Sequence, residues 1–304
     1  MDNLAIIIVN YNTQKDTREC LASLSKVDFK GASYKIIVVD NASKEPLHLA
    51  KSLLDNNTEI IRSESNLGFT GGNNLGISYA IKKYQSEFFL LLNSDTTVAD
   101  NFYQALKKTL QAHSQAAIVS PKIYFYPGNE YHLQSYTKKE RGKILWFAGG
   151  SIDWQHLSSF HRGVDELDRG QFDHETEIDF ATGCCMLFKR ELVERIGIFD
   201  KRFFLYSEDV DYCLRAKRAG YKIIFSPLSV IWHKNSGSSE GVGSKVQTYY
   251  QTRNKLLLAL KHDFWSHKLA IFLITMQIIT NGSSTEKQAL FDLIFRRLGK
   301  QQII

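Results

Sequence analysis

Short runs of Ile, Val, Leu and Phe alternate with amphipathic stretches through residues 4–113. LAIIIVNY (4–11), YKIIVVDN (34–41) and FFLLLNSD (88–95) are continuous apolar runs that break into polar residues, and EIIRSES (59–65) is a shorter candidate of the same kind. Runs of this length without alternation fit strands buried on both faces of a parallel sheet. Between them, Thr17 to Leu24, Pro46 to Leu54, Gly72 to Tyr84 and Asn101 to His113 are predicted as helices. Strand–helix–strand repetition predicts an α/β fold, a mostly parallel Rossmann-like sheet with right-handed crossovers and helices on both faces. Residues 122–178 have no sustained period and read as a loop-rich insertion. FATGCCMLFKR (180–190) and KIIFSPLSVIW (222–232) return to strand-like runs, and the chain from Val246 onward reads as a helical extension.

In such a sheet ligands sit beyond the carboxyl ends of the strands. The ends predicted here are Asn10-Tyr11-Asn12, Asp40-Asn41-Ala42-Ser43, Asn66-Leu67-Gly68 and Asn93-Ser94-Asp95. Each is also good turn chemistry taken singly, but four polar ends on one edge point to a site. NLGFTGGNNLGI (66–77) places glycines and asparagines just before a predicted helix, where free N–H groups favour a phosphate; a tight turn is the plainer reading. A carboxylate at Asp95 beside a diphosphate would repel it unless a divalent cation, Mg²⁺ or Mn²⁺, lay between them.

FFLYSEDVDYCLR (203–215) leads an aromatic segment into Glu208 and Asp209 at a helix start, with Val210, Cys213 and Leu214 on the core-facing side. Acidic residues in a first turn suit the helix dipole. One of them could equally serve as a general base toward a hydroxyl, and Asp211 points elsewhere and reads as structural. His233 follows a strand and precedes a Gly/Ser loop; a lone histidine is usually not a ligand. Arg253, in YYQTRNKLL, could clamp a phosphate or form a salt bridge.

Composition narrows this further. The 304 residues are 43% hydrophobic and 23% charged, which is enough apolar material for one large or two small domains. A net charge of +6 fits an anionic ligand or an anionic membrane surface and does not by itself call for nucleic acid, so none is expected as a partner. Cys20, Cys184, Cys185 and Cys213 form no C-x-x-C pair and read as small buried hydrophobes in a reducing compartment. The opening MDNLAIIIVNYN has no basic n-region, and a cytoplasmic location is expected. KLLLALKHDFWSHKLAIFLITMQII mixes Lys, His and Trp with leucines. It reads either as a buried helix covering the sheet or as an interfacial helix in peripheral contact with the inner membrane face.

VNYN, VVDNAS, NLGFTGGNN, LLNSD, ATGCCMLFKR, FLYSEDVDYCLR and YYQTRN, in this order, resemble glycosyltransferase family 2, the inverting enzymes of GT-A fold, and within it the bacterial rhamnosyltransferase-like branch. The resemblance covers about residues 3–260. It implies a catalytic domain over 1–245, with a nucleotide-sugar half (1–121) and an acceptor half (122–245), and a helical extension over 246–304. It implies that Asn10 and Tyr11 line the base site, that Asp40 bonds the base, and that Asn66, Gly71, Gly72 and Asn74 border the sugar and diphosphate. Asn93 and Asp95 occupy the ends of the family's D-x-D motif, with Asn in the ribose-contacting place and the metal-contacting Asp retained. Asp209 takes the place of the catalytic base with Glu208 beside it, and His233 falls where some relatives carry a metal-binding histidine. The implied donor is dTDP-L-rhamnose, with a UDP-sugar as the alternative. The implied acceptor is a surface polysaccharide or lipid-linked glycan. A non-catalytic sugar-nucleotide-binding relative is the rival reading. A nucleotidyltransferase and a dinucleotide oxidoreductase are disfavoured, because VNYNTQKDTREC carries neither of the glycine-rich loops they would need after the first strand.

Overall fold

A computed structural model describes residues 2–50, 53, 56–235, 243–262 and 264–303. The strands are β1 (Asp2–Asn10), β2 (Ala32–Asp40), β3 (Thr58–Arg62), β4 (Phe88–Leu92), β5 (Thr96–Val98), β6 (Ala116–Phe125), β7 (Leu145–Phe147), β8 (Gly150–Asp153), β9 (Ser158–His161), β10 (Thr176–Glu177), β11 (Cys185–Lys189) and β12 (Lys222–His233). The helices are α1 (Gln14–Leu24), α2 (Gly68–Tyr84), α3 (Phe102–Ala112), α4 (Arg190–Ile196), α5 (Glu208–Arg218), α6 (Lys245–His262), α7 (Phe264–Asn281) and α8 (Ser284–Ile294).

One sheet runs β10-β12-β6-β11-β4-β1-β2-β3, with β5 and β7 attached to β12 and β6. The β3-β2-β1-β4 part is parallel, as the apolar runs predict. Beyond it β11 is antiparallel to both neighbours, so the sheet as a whole is mixed. Leu4 to Ile8 of β1 are wholly buried at its centre.

The alternation of side chains along β1 separates the helices onto two faces. Odd positions meet α2: a Cβ on Gly76 would lie 2.5 Å from Ile7, and one on Gly72 would lie 2.8 Å from Val9. The even position Asn10 meets α1, where the Thr17 hydroxyl donates to its side-chain oxygen at 2.8 Å. The chain therefore reverses its direction of travel between β1 and β4, and that reversal opens the crevice in which such sheets bind ligands.

Two predicted elements differ. The glycine-rich segment does not precede α2 but forms its first turns, because its glycines allow the helix backbone to lie directly on β1. Residues 46–50 of the predicted Pro46–Leu54 helix are not helical. There the Leu47 amide donates to Asp40 at 3.1 Å and the His48 carbonyl accepts from Arg18 at 2.8 Å, tertiary bonds that replace the helical ones. Residues 51, 52 and 54 lie outside the described residues. The insertion is irregular, as expected, yet its Leu145, Phe147 and Ile178 join the main core.

Candidate active site

The strand ends open onto a cavity of about 740 Å³, lined also by the start of α5, the end of β12, the insertion and one face of α6. Asp95 stands immediately before β5. β5 runs antiparallel to the end of β12 with Thr96 opposite His233, and the Lys234 amide extends the ladder to the Asp95 carbonyl at 2.9 Å. This register sets His233 Nε2 3.1 Å from Asp95 Oδ1, with both side chains nearly closed to solvent. The ring's Nδ1 is buried with no hydrogen-bond partner among the described residues. Trp146 packs an edge contact on each of His233 and His161, at 4.5 and 4.4 Å between ring centres. Burial pushes His161 down to about 4, so it faces the cavity as a neutral ring.

The Asp95 carboxylate and the His233 Nε2 that faces it could both reach one divalent cation, Mg²⁺ or Mn²⁺, with the ring proton then carried on the buried Nδ1. No group of three or more such side chains occurs among the described residues. Most of a coordination shell would therefore come from ligand oxygens and water.

Glu208 and Asp209 open α5. Asp209 Oδ2 accepts the Gly183 amide at 2.8 Å and its Oδ1 accepts the Val210 amide at 2.8 Å. Burial raises the carboxyl of Asp209 against these two bonds. Glu208 is raised well above the usual range, first by burial and then by the charge of Asp209 beside it. Among the described residues the Thr70 hydroxyl donates to it at 3.4 Å. The pair thus divides its roles: the charge belongs on Asp209, where two backbone amides point at it, and the proton belongs on Glu208.

The loop before α5 is strained. Phe204, Tyr206 and Ser207 all have left-handed backbones, with φ of 62°, 67° and 67°, a conformation costing a non-glycine residue roughly 1–2 kcal/mol. Two α6 side chains hold it there. Asn254 Nδ2 donates to the carbonyls of Phe203, Leu205 and Tyr206 at 2.9, 2.8 and 2.9 Å. Arg253, fully buried, donates to the carbonyls of Arg202 and Phe203 at 3.0 Å each and of Gly299 at 2.7 Å. From below, Thr70 donates its amide to the Phe204 carbonyl at 3.2 Å. Gly68 lies so close under that carbonyl that a Cβ would meet it at 2.3 Å.

Of the residues singled out from sequence, Tyr11, Asn66, Asn93, Asp95, Glu208, Asp209 and His233 line the cavity together. The others do not. Asn10 is fully buried and its amide is spent on Ser43, Asp40, Thr13 and Thr17. Asp40 is closed in by Arg62 and by the amides of Ser43 and Leu47. Burial works to raise its carboxyl, but these partners outweigh it and hold it below the ordinary range. Asn74 exchanges two hydrogen bonds with the Phe199 backbone, at 2.8 and 3.0 Å.

Gly71 and Gly72 are packing positions of α2, and the amides of its first turn are largely taken. Gly68 donates to Asn66, Thr70 to Phe204 and Gly71 to Leu67, which occupies three of the donors that a helix-start phosphate site would use. Arg253 is a loop clamp rather than a phosphate clamp.

Sequence reasoning named Asn41 only within a strand end and gave it no role of its own; it lines the cavity and braces the same turn by donating to Asn66 and Gly68 and accepting from Leu67. It gave Asn254, beside Arg253, no role either, and passed over Trp146 and His161. For Asn41 a signal was present, since it stands at a strand end; for Asn254 the signal was its place beside Arg253.

The profile of the family described as "Glycosyltransferase like family 2" matches residues 2–252. The low-salt glycan biosynthesis hexosyltransferase Agl10 of Haloferax volcanii is 27% identical over 84% of this chain and 75% of its own length. The N-acetylglucosaminyl-diphospho-decaprenol L-rhamnosyltransferase of Mycobacterium tuberculosis is 23% identical over 87% of this chain and 86% of its own. Among solved structures, that of GalNAc-T7 with UDP, GalNAc and Mn²⁺ superposes with a TM-score of 0.59 at 15% identity, covering 97% of this chain and 58% of that longer one.

Proposed function

Because this chain belongs to glycosyltransferase family 2 and has its GT-A fold, we propose that it is an inverting hexosyltransferase. In this reading it moves L-rhamnose from dTDP-L-rhamnose to a hydroxyl of a surface polysaccharide or lipid-linked glycan. The observation that carries the reading is the pairing, in one cavity, of a carboxylate–imidazole set suited to a divalent cation with a separately held, burial-raised carboxylate. The rhamnosyl donor is supported by the named activity of the mycobacterial relative.

Asp209 acts as the base. Its free lone pair takes the proton of the acceptor hydroxyl as that oxygen attacks the anomeric carbon. The bond from that carbon to the diphosphate oxygen breaks, and its electron pair leaves with the nucleoside diphosphate. One displacement inverts the configuration and leaves the proton on Asp209. A carboxylate raised toward neutrality is a better base than an exposed one, and the two backbone amides fix its oxygens. Glu208, protonated beside it, adds no second charge against the incoming hydroxyl. Asp95 and His233 would hold Mg²⁺ or Mn²⁺, which offsets charge on the departing diphosphate. Tyr11, Asn66 and Asn93, on the strand-end wall, would contact the nucleotide and sugar.

The test is thermal denaturation with dTDP, UDP, GDP and their sugars, with and without Mn²⁺, followed by transfer assays with the ligand that binds. A Mn²⁺-dependent rise in Tm with dTDP above that with UDP is expected. A rise with UDP alone moves the donor to a UDP-sugar. A rise without transfer in the assays leaves the non-catalytic sugar-nucleotide-binding relative, and no rise with any nucleotide overturns the transferase reading.

A further inference from the structure

α7 is apolar on two opposite sides. Inward, Ile271, Ile274 and Ile278 pack with Leu256 and Ala259 of α6 and Leu290 of α8. Outward, Leu269, Phe272, Leu273, Met276 and Ile279 repeat at helical spacing and are 66, 59, 56, 41 and 51% exposed. Trp265, 79% exposed, leads this stripe, and Phe291 and Ile294 of α8 and the adjoining Phe295 are exposed as well. A helix apolar all round is normally covered, and a patch of this kind on a monomer marks an interaction surface.

Charge selects the occupant. Residues 264–303 carry Lys268, Lys287, Arg296, Arg297 and Lys300 against only Glu286 and Asp292. Asp292 is buried, accepting the Tyr249 hydroxyl at 2.7 Å and pairing with Arg297 at 3.6 Å, which leaves Lys268, Lys287, Arg296 and, at the cavity wall, Lys300 against Glu286. A symmetric second copy would set this basic face against itself. An anionic bilayer meets both demands, taking the apolar stripe into its interface and the basic residues against its headgroups. No described helix is long and apolar enough to cross a membrane, which leaves the helix lying in the plane.

The same helix packs behind two residues of the cavity wall. Trp154, which lines it, stacks on His267 of α7 with ring centres 5.3 Å apart and planes 4° from parallel. Leu157, also lining it, belongs to the inward cluster of α7. We infer that the outward face of α7, with Phe291 and Ile294 of α8 and the adjoining Phe295, docks on an anionic membrane surface and holds the cavity about one helix diameter from it, so that the acceptor is lipid-linked. The acceptor clause rests on the transferase reading; the docking clause does not.

The experiment is co-sedimentation of the full chain, without nucleotide, with vesicles of phosphatidylcholine alone or mixed with phosphatidylglycerol. Binding to the mixed vesicles that weakens with salt is expected, and Phe272→Glu with Leu273→Glu should lower it roughly tenfold or more while Tm is kept. Absence of binding to the mixed vesicles by wild-type protein overturns docking. So does sedimentation equilibrium showing a dimer that the same substitutions dissolve, since a second copy then covers the face. Vesicle binding without transfer from any nucleotide sugar would sink the transferase reading and leave docking standing. Equal transfer to a lipid-linked and a water-soluble acceptor, unchanged by the double variant, would overturn the acceptor clause.

Discussion

Asp95 and Asp209 look into one cavity from walls built on different principles. Asp95 is held by register: it precedes a strand whose pairing with β12 delivers His233 to within 3.1 Å. Asp209 is held by force: its helix starts from a loop of left-handed residues that α6 grips through Arg253 and Asn254. The first arrangement uses backbone bonds the sheet would make anyway. The second places strain next to the proposed base and balances it with side chains some fifty positions away in sequence.

The sharpest way to break the comparison is Asp209→Asn, which keeps the helix start but removes the base. The expected loss in kcat is about 10²–10⁴-fold, with nucleotide-induced shifts in Tm kept; wild-type turnover would refute the assignment. Asp95→Asn should act on the other wall, erasing the Mn²⁺ dependence of the nucleotide Tm shift and reducing transfer roughly 10²-fold. A Mn²⁺ response that survives it would disconnect Asp95 from the cation.

Asn254→Ala tests whether the clamp matters to the base wall alone. It strands buried carbonyls at about 1–3 kcal/mol, and should lower kcat roughly tenfold while leaving nucleotide affinity unchanged. If affinity falls as much as kcat, the two walls are not separately held.

The smallest effect belongs to Glu208→Gln. The carboxyl of Glu208 is raised in the folded chain, so its cost to stability is absent below its unfolded pKa and grows as pH rises through its folded one. The variant should therefore match wild type in acid and exceed it by roughly 2–4 °C in Tm above that range. Meanwhile the acid limb of the kcat profile, set by Asp209, should stay where it is. A variant less stable at high pH would reverse the proton assignment within the pair.

The difference between the walls also explains what could be read from the chain. β1, β2 and β4 announce themselves as apolar runs, and the rule that ligands collect beyond strand ends leads directly to Asn93 and Asp95. Glu208 and Asp209 are visible as acidic residues at a helix start. Arg253 was conspicuous but its partners were not, because carbonyls as acceptors carry no side-chain signature, and burial alone decides that the guanidinium turns inward. Asn10 and Asp40 mislead for a related reason. A strand-end polar residue serves a ligand only if its neighbours leave it free, and Thr17, Ser43 and Arg62 are not adjacent in sequence. The stretch at 46–50 carries helical spacing, yet tertiary hydrogen bonds to Asp40 and Arg18 outbid it. The glycines of α2 were noticed for the freedom they give a loop, whereas their use is to have no side chain at all.

That joint bears on how this protein can vary. Val9 and Ile7 come so near the backbone of α2 that the smallest possible side chain at Gly72 or Gly76 would pry helix from sheet. Asn41 and Asn66, braced against the start of the same helix, would move with it. Substitutions that retune the ligand can therefore accumulate at the rim, on the insertion and on α6. The seam beneath is closed to every amino acid but one.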